Sequence, residues 1–173
     1  MKFLLTTYTL LLLTFSGIAQ EMSVFDIARK GTLDQIEAAY KKNPQAINAV
    51  DERNSTPLIL ACYRGNVAVA NFLAEKVNNV NYNSGRGTAL MAAVMSGDLN
   101  IVNKLISVKA DLNQKGEGNK TALIYAVFFN KEEIAEALIK AGADKNIQDE
   151  DGRKALDYAN FNKNTKLIIL LDQ

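Results

Sequence analysis

Thr56-Pro57-Leu58-Ile59-Leu60-Ala61 returns as Thr88-Ala89-Leu90-Met91-Ala92-Ala93, and again as Thr121-Ala122-Leu123-Ile124-Tyr125-Ala126. A fainter copy, Lys154-Ala155-Leu156-Asp157-Tyr158-Ala159, completes a series with steps of 32, 33 and 33 residues. Two further markers keep the register. Gly31, Gly65 and Gly97 follow one another at 34 and 32 residues, and an asparagine recurs in Ile47-Asn48, Val80-Asn81, Leu112-Asn113 and Lys145-Asn146. A period of this length belongs to stacked supersecondary units, each too small to bury a core alone.

Each unit carries its own helix signals. Thr56 offers a capping hydroxyl, and Pro57 stands where its missing N–H costs nothing. Leu58 and Ala61 share one helix face, as do Leu90 with Ala93 and Leu123 with Ala126. The alanines fit a close approach of two helices. Gly65 and Gly97 end the first helix in a left-handed conformation that costs glycine little. A second stripe follows at Val67, Val69-Ala70 and Phe72-Leu73, then at Leu99, Ile101-Val102 and Leu105-Ile106. Asn, Asp and Gly then supply the turns.

These residues resemble the ankyrin repeat, whose pattern includes T-P-L-H-x-A at a period of 33. Ala141-Gly142-Ala143-Asp144-Lys145-Asn146, running on through Asp149 to Gly152, is the closest stretch. The resemblance covers about residues 22–173 and implies an all-α solenoid of stacked helix–turn–helix units with short hairpin loops. We divide it into a degenerate first repeat (22–50), repeats near 51–83, 84–115 and 116–148, and a closing half-repeat (149–173). The family's histidine is replaced by Ile59, Met91, Ile124 and Asp157, and Asn130 and Lys163 stand where the helix-ending glycine belongs. A stack of uneven stability, weakest at its C-terminal end, is expected.

Composition removes much enzymology. The 173 residues include no histidine, hence no usual general base and no common zinc ligand. Twenty basic and 19 acidic side chains leave a net charge of +1, too little for a field that would hold nucleic acid. The single cysteine, Cys62, reads as a small buried helix residue. Gly85-Arg86-Gly87 and Gly116-Glu117-Gly118 are isolated turn glycines rather than a phosphate loop, and Asp149-Glu150-Asp151-Gly152 lacks the alternating ligands of a calcium loop. Glu132-Glu133 sits at a helix start, where negative charge is favoured. No catalytic, cofactor-binding or metal-ligating set is expected, and the chain reads as a non-enzyme.

One constellation rises above this background. The resemblance implies a concave face made from hairpin tips and the exposed ends of the first helices. Two residues beyond each repeated alanine stand Tyr63, Met95, Phe128 and Phe161, with Arg64, Ser96, Phe129 and Asn162 beside them. Stacking turns that register into a ladder with roughly 10 Å per step. Aromatics, methionine and arginine are the side chains that anchor protein interfaces. Folding back into the core is the alternative for these side chains, with Phe128-Phe129 the pair most expected to be exposed. Glu52, Arg53, Ser55, Lys120, Glu150 and Arg153 would form a polar rim. Leu167-Ile168-Ile169-Leu170-Leu171 places Ile169 in a register held by Asn71, Asn103 and Glu136 earlier, which means either a contact or a fraying end.

Residues 1–19 read as a cleavable signal peptide. Met1-Lys2 is followed by an uncharged, largely apolar stretch up to Glu21, and Gly17 and Ala19 suit a peptidase cutting before Gln20. An uncleaved anchor is the alternative; Thr6, Thr7, Thr9, Thr14 and Ser16 dilute it. The expected mature product is a periplasmic or secreted bacterial monomer that binds another protein through its groove, without cofactor or stable membrane insertion. The resemblance further implies an accessory factor for a stress-response enzyme such as catalase. An immunity or inhibitor protein, and a small-molecule or peptide binder or enzyme using the groove, are the rival readings.

Overall fold

The computed structural model describes residues 21–172, so the expected leader lies outside the described residues. Within them the chain forms five successive helix pairs and no strand: α1 (Val24–Lys30) with α2 (Leu33–Lys42), α3 (Pro57–Arg64) with α4 (Val67–Lys76), α5 (Ala89–Ser96) with α6 (Leu99–Ser107), α7 (Ala122–Phe128) with α8 (Glu132–Lys140), and α9 (Ala155–Phe161) with α10 (Thr165–Asp172). The segment read as a closing half-repeat therefore holds both helices of a pair. Short 3-10 turns at Pro44–Asn48 and Glu117–Asn119 complete the chain's helical structure among the described residues.

Helix starts follow the repeated threonine. The hydroxyls of Thr56, Thr88 and Thr121 accept from the N–H groups of Ile59, Met91 and Ile124 at 3.3, 3.4 and 3.3 Å. Lys154, in the same register, has no side-chain oxygen to offer. There Asp157 reaches back and accepts from the Lys154 N–H at 2.7 Å. Helix ends follow the glycine register with one exception. Gly65 and Gly97 are left-handed (φ 66° and 79°), and Asn130 and Lys163 adopt the same conformation (both φ 55°). Gly31 instead is extended (φ −83°, ψ −179°), and what it needs is space, since a Cβ there would lie 2.7 Å from Ile27.

The helices form two layers. The first helices α1, α3, α5, α7 and α9 pack in chain order, and α2, α4, α6, α8 and α10 pack behind them in the same order. Ala28, Ala61, Ala93, Ala126 and Ala159, one per repeat, are all completely buried, which is the close approach that their size predicts. Leu58, Leu90 and Leu123 on the first helices meet Leu73, Leu105 and Leu138 on the second in one continuous core. Cys62 is buried among them, and burial pushes its thiol well above the ordinary range, so it is no nucleophile.

Polar ladders run along both edges of the stack. The side-chain oxygens of Asn48, Asn81 and Asn113 accept from the N–H groups of Asn78, Asp111 and Asp144 in the next repeat, at 2.8, 2.8 and 2.9 Å. The asparagine marker is thus a tie between repeats. At the turn tips, the Arg86 guanidinium donates to the Arg53 carbonyl (3.1 Å), the Glu117 N–H to the Arg86 carbonyl (3.3 Å), and the Glu150 N–H to the Gly118 carbonyl (2.9 Å).

Candidate protein-binding surface

Positions that end the first helices are fixed by the stack, because Ala61, Ala93, Ala126 and Ala159 anchor the opposite face of the same turns. Two residues further on, the side chains point outward. Tyr63 is 54% exposed, Met95 43%, Phe128 46% and Phe161 86%, and Phe129, one residue further, 41%. Arg64 is exposed beside Tyr63. None of the five apolar side chains folds back into the core. The most exposed is Phe161 rather than the expected Phe128-Phe129 pair; among the described residues no later first helix flanks it.

Phe128 and Phe129 are held by other aromatic rings. They meet edge to face (centroids 5.0 Å, 84° between planes). Phe129 stacks on Tyr125 (6.2 Å, 9°), and Phe128 meets Tyr158 of the next first helix edge to face (5.5 Å, 81°). A continuous aromatic strip therefore crosses from α7 to α9. Tyr125 and Tyr158 escaped the sequence reading, although both stand one residue before a repeated alanine and three before a ladder residue. Their hydroxyls lead toward the turn tips: Tyr125 donates to the Glu117 carbonyl (3.4 Å) and Tyr158 to the Asp149 carboxylate (2.5 Å). Burial raises both phenols above their ordinary value, and for Tyr158 the bond to Asp149 adds to this, so they stay protonated donors.

The expected rim divides into three groups. Glu52, Arg53 and Glu150 are exposed. Arg153 is exposed too, 3.2 Å from Asp151, with its guanidinium 6.0 Å from the centre of the Tyr158 ring. Ser55 and Lys120 are placed otherwise. Ser55 is buried within the turn and its N–H donates to the Asp51 carboxylate, while Lys120 is mostly covered and sits 3.6 Å from the buried Asp149. Both hold the turns together. Turns this tight need a short-range acceptor for their N–H groups, which Asp51 and Asp149 supply in the same geometry.

A shallow depression of about 310 Å³, lined by Leu33, Glu37, Ala68, Asn71, Phe72 and Glu75, lies between α2 and α4 on the opposite layer from the ladder. Among the described residues no three His, Cys, Asp or Glu side chains gather in a way that could hold a metal ion, and no helix is long and apolar enough to cross a membrane.

The family model for ankyrin repeats (3 copies) matches residues 24–116 and 90–173. The chain belongs to the ankyrin-repeat family. Its curated relatives include the NAD-dependent deacetylase sir2B of Dictyostelium discoideum, 35% identical over 75 residues, which are 43% of this chain and 9% of that protein. Another is the ankyrin repeat and SAM domain-containing protein 6 of Rattus norvegicus, 31% identical over 96 residues, 54% of this chain and 11% of that protein. The chain thus spans about a tenth of either relative, and the likeness is one of repeats. Ankyrin repeats make this chain a protein–protein interaction module.

Proposed function

We propose that this ankyrin stack is a non-catalytic binding module that seats a partner protein on the ladder Tyr63, Met95, Phe128, Phe129 and Phe161, with Arg64, Glu52, Arg53 and Arg153 around it. The observation that carries the reading is the exposure of four large apolar side chains in one register, with Phe129 beside the third, on an otherwise ordinary surface. Scattered apolar residues need no explanation, but a contiguous row of aromatics and methionine on rigid helices is what interfaces use. The absence of histidine throughout and the inert thiol at Cys62 support a role without chemistry of its own. Export to the periplasm rests on the leader-like residues 1–19, and an enzyme of oxidative stress such as a catalase is the first partner to assay.

Site-specific photo-crosslinking tests this. A photoreactive side chain at Met95 or Phe161 should capture one predominant protein, and the same group at Asn103 on α6 should not. Equal capture from both layers would remove the ladder from the reading.

A further inference from the structure

We infer that the segment seated on the ladder is acidic as well as apolar. This rests on the binding surface proposed above and adds the sign of the partner's charge. The edge where the first helices end comprises residues 29–32, 63–66, 95–98, 128–131 and 161–164. It holds five basic side chains, Arg29, Lys30, Arg64, Lys131 and Lys163, against one acid, Asp98. The chain as a whole carries only +1, so the imbalance is local.

Four of these five cations are also left open. Arg29 is paired, with Asp51 at 3.0 Å and Asp26 at 3.4 Å. Among the described residues Lys30, Arg64, Lys131 and Lys163 have no carboxylate within 4.0 Å. Lys131 bends back over the end of α5, where its ammonium would lie 2.9 Å from a Cβ at Gly97, so its charge sits beside the Met95 step. Asp98 is already engaged: one carboxylate oxygen accepts from the N–H groups of Asn100 and Ile101. On the second layer Lys104 pairs with Glu75, Lys140 with Glu136 and Lys166 with Glu132, while among the described residues Lys41 and Lys76 have no carboxylate within 4.0 Å. The turn tips mix signs, with Glu52, Glu150 and Asp151 among Arg53, Arg86 and Arg153, and favour neither.

Helix C-termini favour cations, which accounts for Lys30 and Arg64. It does not account for Lys163, which holds a left-handed conformation that glycine or asparagine would adopt at less cost. Cations flanking an apolar row fit a segment whose apolar side chains are interspersed with Asp or Glu. Each exposed pair adds little affinity; together they steer the encounter and turn away basic segments.

Selection from an unbiased phage-displayed peptide library on the full chain is the test, repeated on Phe128→Ala/Phe129→Ala and on Lys30→Glu/Arg64→Glu/Lys131→Glu. The milder Lys30→Gln/Arg64→Gln/Lys131→Gln set covers the case in which charge reversal disturbs the fold. Peptides that need the two phenylalanines should be enriched in Asp and Glu, and should bind the charge-reversed chain at least about tenfold more weakly, the neutral set less so. Ladder-dependent peptides that are neutral or basic, or that bind all charge variants equally, would overturn the inference while leaving the binding surface standing. Recovery of no ladder-dependent peptide would overturn the surface and, with it, this inference.

Discussion

The Tyr158 hydroxyl donates to the Asp149 carboxylate across 2.5 Å, and this bond joins the aromatic strip to the last turn of the stack. Asp149 is buried, and burial by itself would raise its pKa. The hydrogen bonds from Tyr158 and from the Arg153 and Asp151 N–H groups, with the nearby Lys120 charge, outweigh that and hold the carboxyl below the ordinary aspartate value of 3.8. One side chain thus orders the turn, the covered lysine and the ring against which Phe128 packs.

Asp149→Ala should therefore destabilise the C-terminal end by about 2–3 kcal/mol, since it strands a phenol, two N–H groups and an ammonium. Hydrogen exchange should quicken in α9 and α10 before α3 and α5. Because the folded pKa lies below the unfolded one, the advantage of the native carboxylate over Asp149→Asn is full above pH 3.8. It should shrink as the pH falls through the folded value. Urea unfolding of both proteins at pH 7 and pH 3 checks the sign.

The asparagine ties give a graded prediction with an internal control. Asn81→Ala and Asn113→Ala each leave a backbone N–H of the following repeat without its acceptor, and each should cost about 1 kcal/mol. Among the described residues no N–H of a later repeat donates to Asn146, whose side-chain oxygen meets only Lys154 at 3.4 Å on the surface. Asn146→Ala should change stability by less than about 0.5 kcal/mol. Equal losses at all three positions would remove the ties from the account.

Lys163→Gly should raise stability by up to about 1 kcal/mol. It relieves a left-handed residue that still makes its turn bonds, with the Lys163 N–H donating to the Asn160 carbonyl at 3.0 Å. The added freedom of glycine in the unfolded chain offsets part of the gain. A thermal melt of the variant against the native chain reads the balance.

What was legible in the sequence follows from the period. Repeated Thr and Gly dictate caps and helix ends locally, so three full repeats and a degenerate first one could be placed from spacing, while the last pair read only as a half-repeat. The ladder register was visible too, but spacing leaves open whether its side chains face out or fold back into the core, and the structure exposes them all. Residues whose fate depends on a neighbouring repeat were harder. Lys120 and Ser55 read as rim because turn residues usually are solvated, yet Asp149 and Asp51 draw them in. Tyr125 and Tyr158 draw no reading of their own within the repeated motif, and only the ring that packs on each shows that they support the ladder. Gly31 kept the spacing of Gly65 and Gly97 for a different physical reason, the nearness of Ile27.

The central claim is tested most directly by the affinity of Phe128→Ala/Phe129→Ala for the protein captured at Met95 or Phe161, measured together with its helix content and thermal melt. The two rings pack on Tyr125 and Tyr158 yet remain two-fifths or more exposed, so the variant should melt somewhat lower while staying folded at 25 °C. Loss of buried aromatic anchors commonly costs about 2 kcal/mol or more, so binding should weaken by at least about thirtyfold. An unchanged affinity in the folded variant would contradict the account.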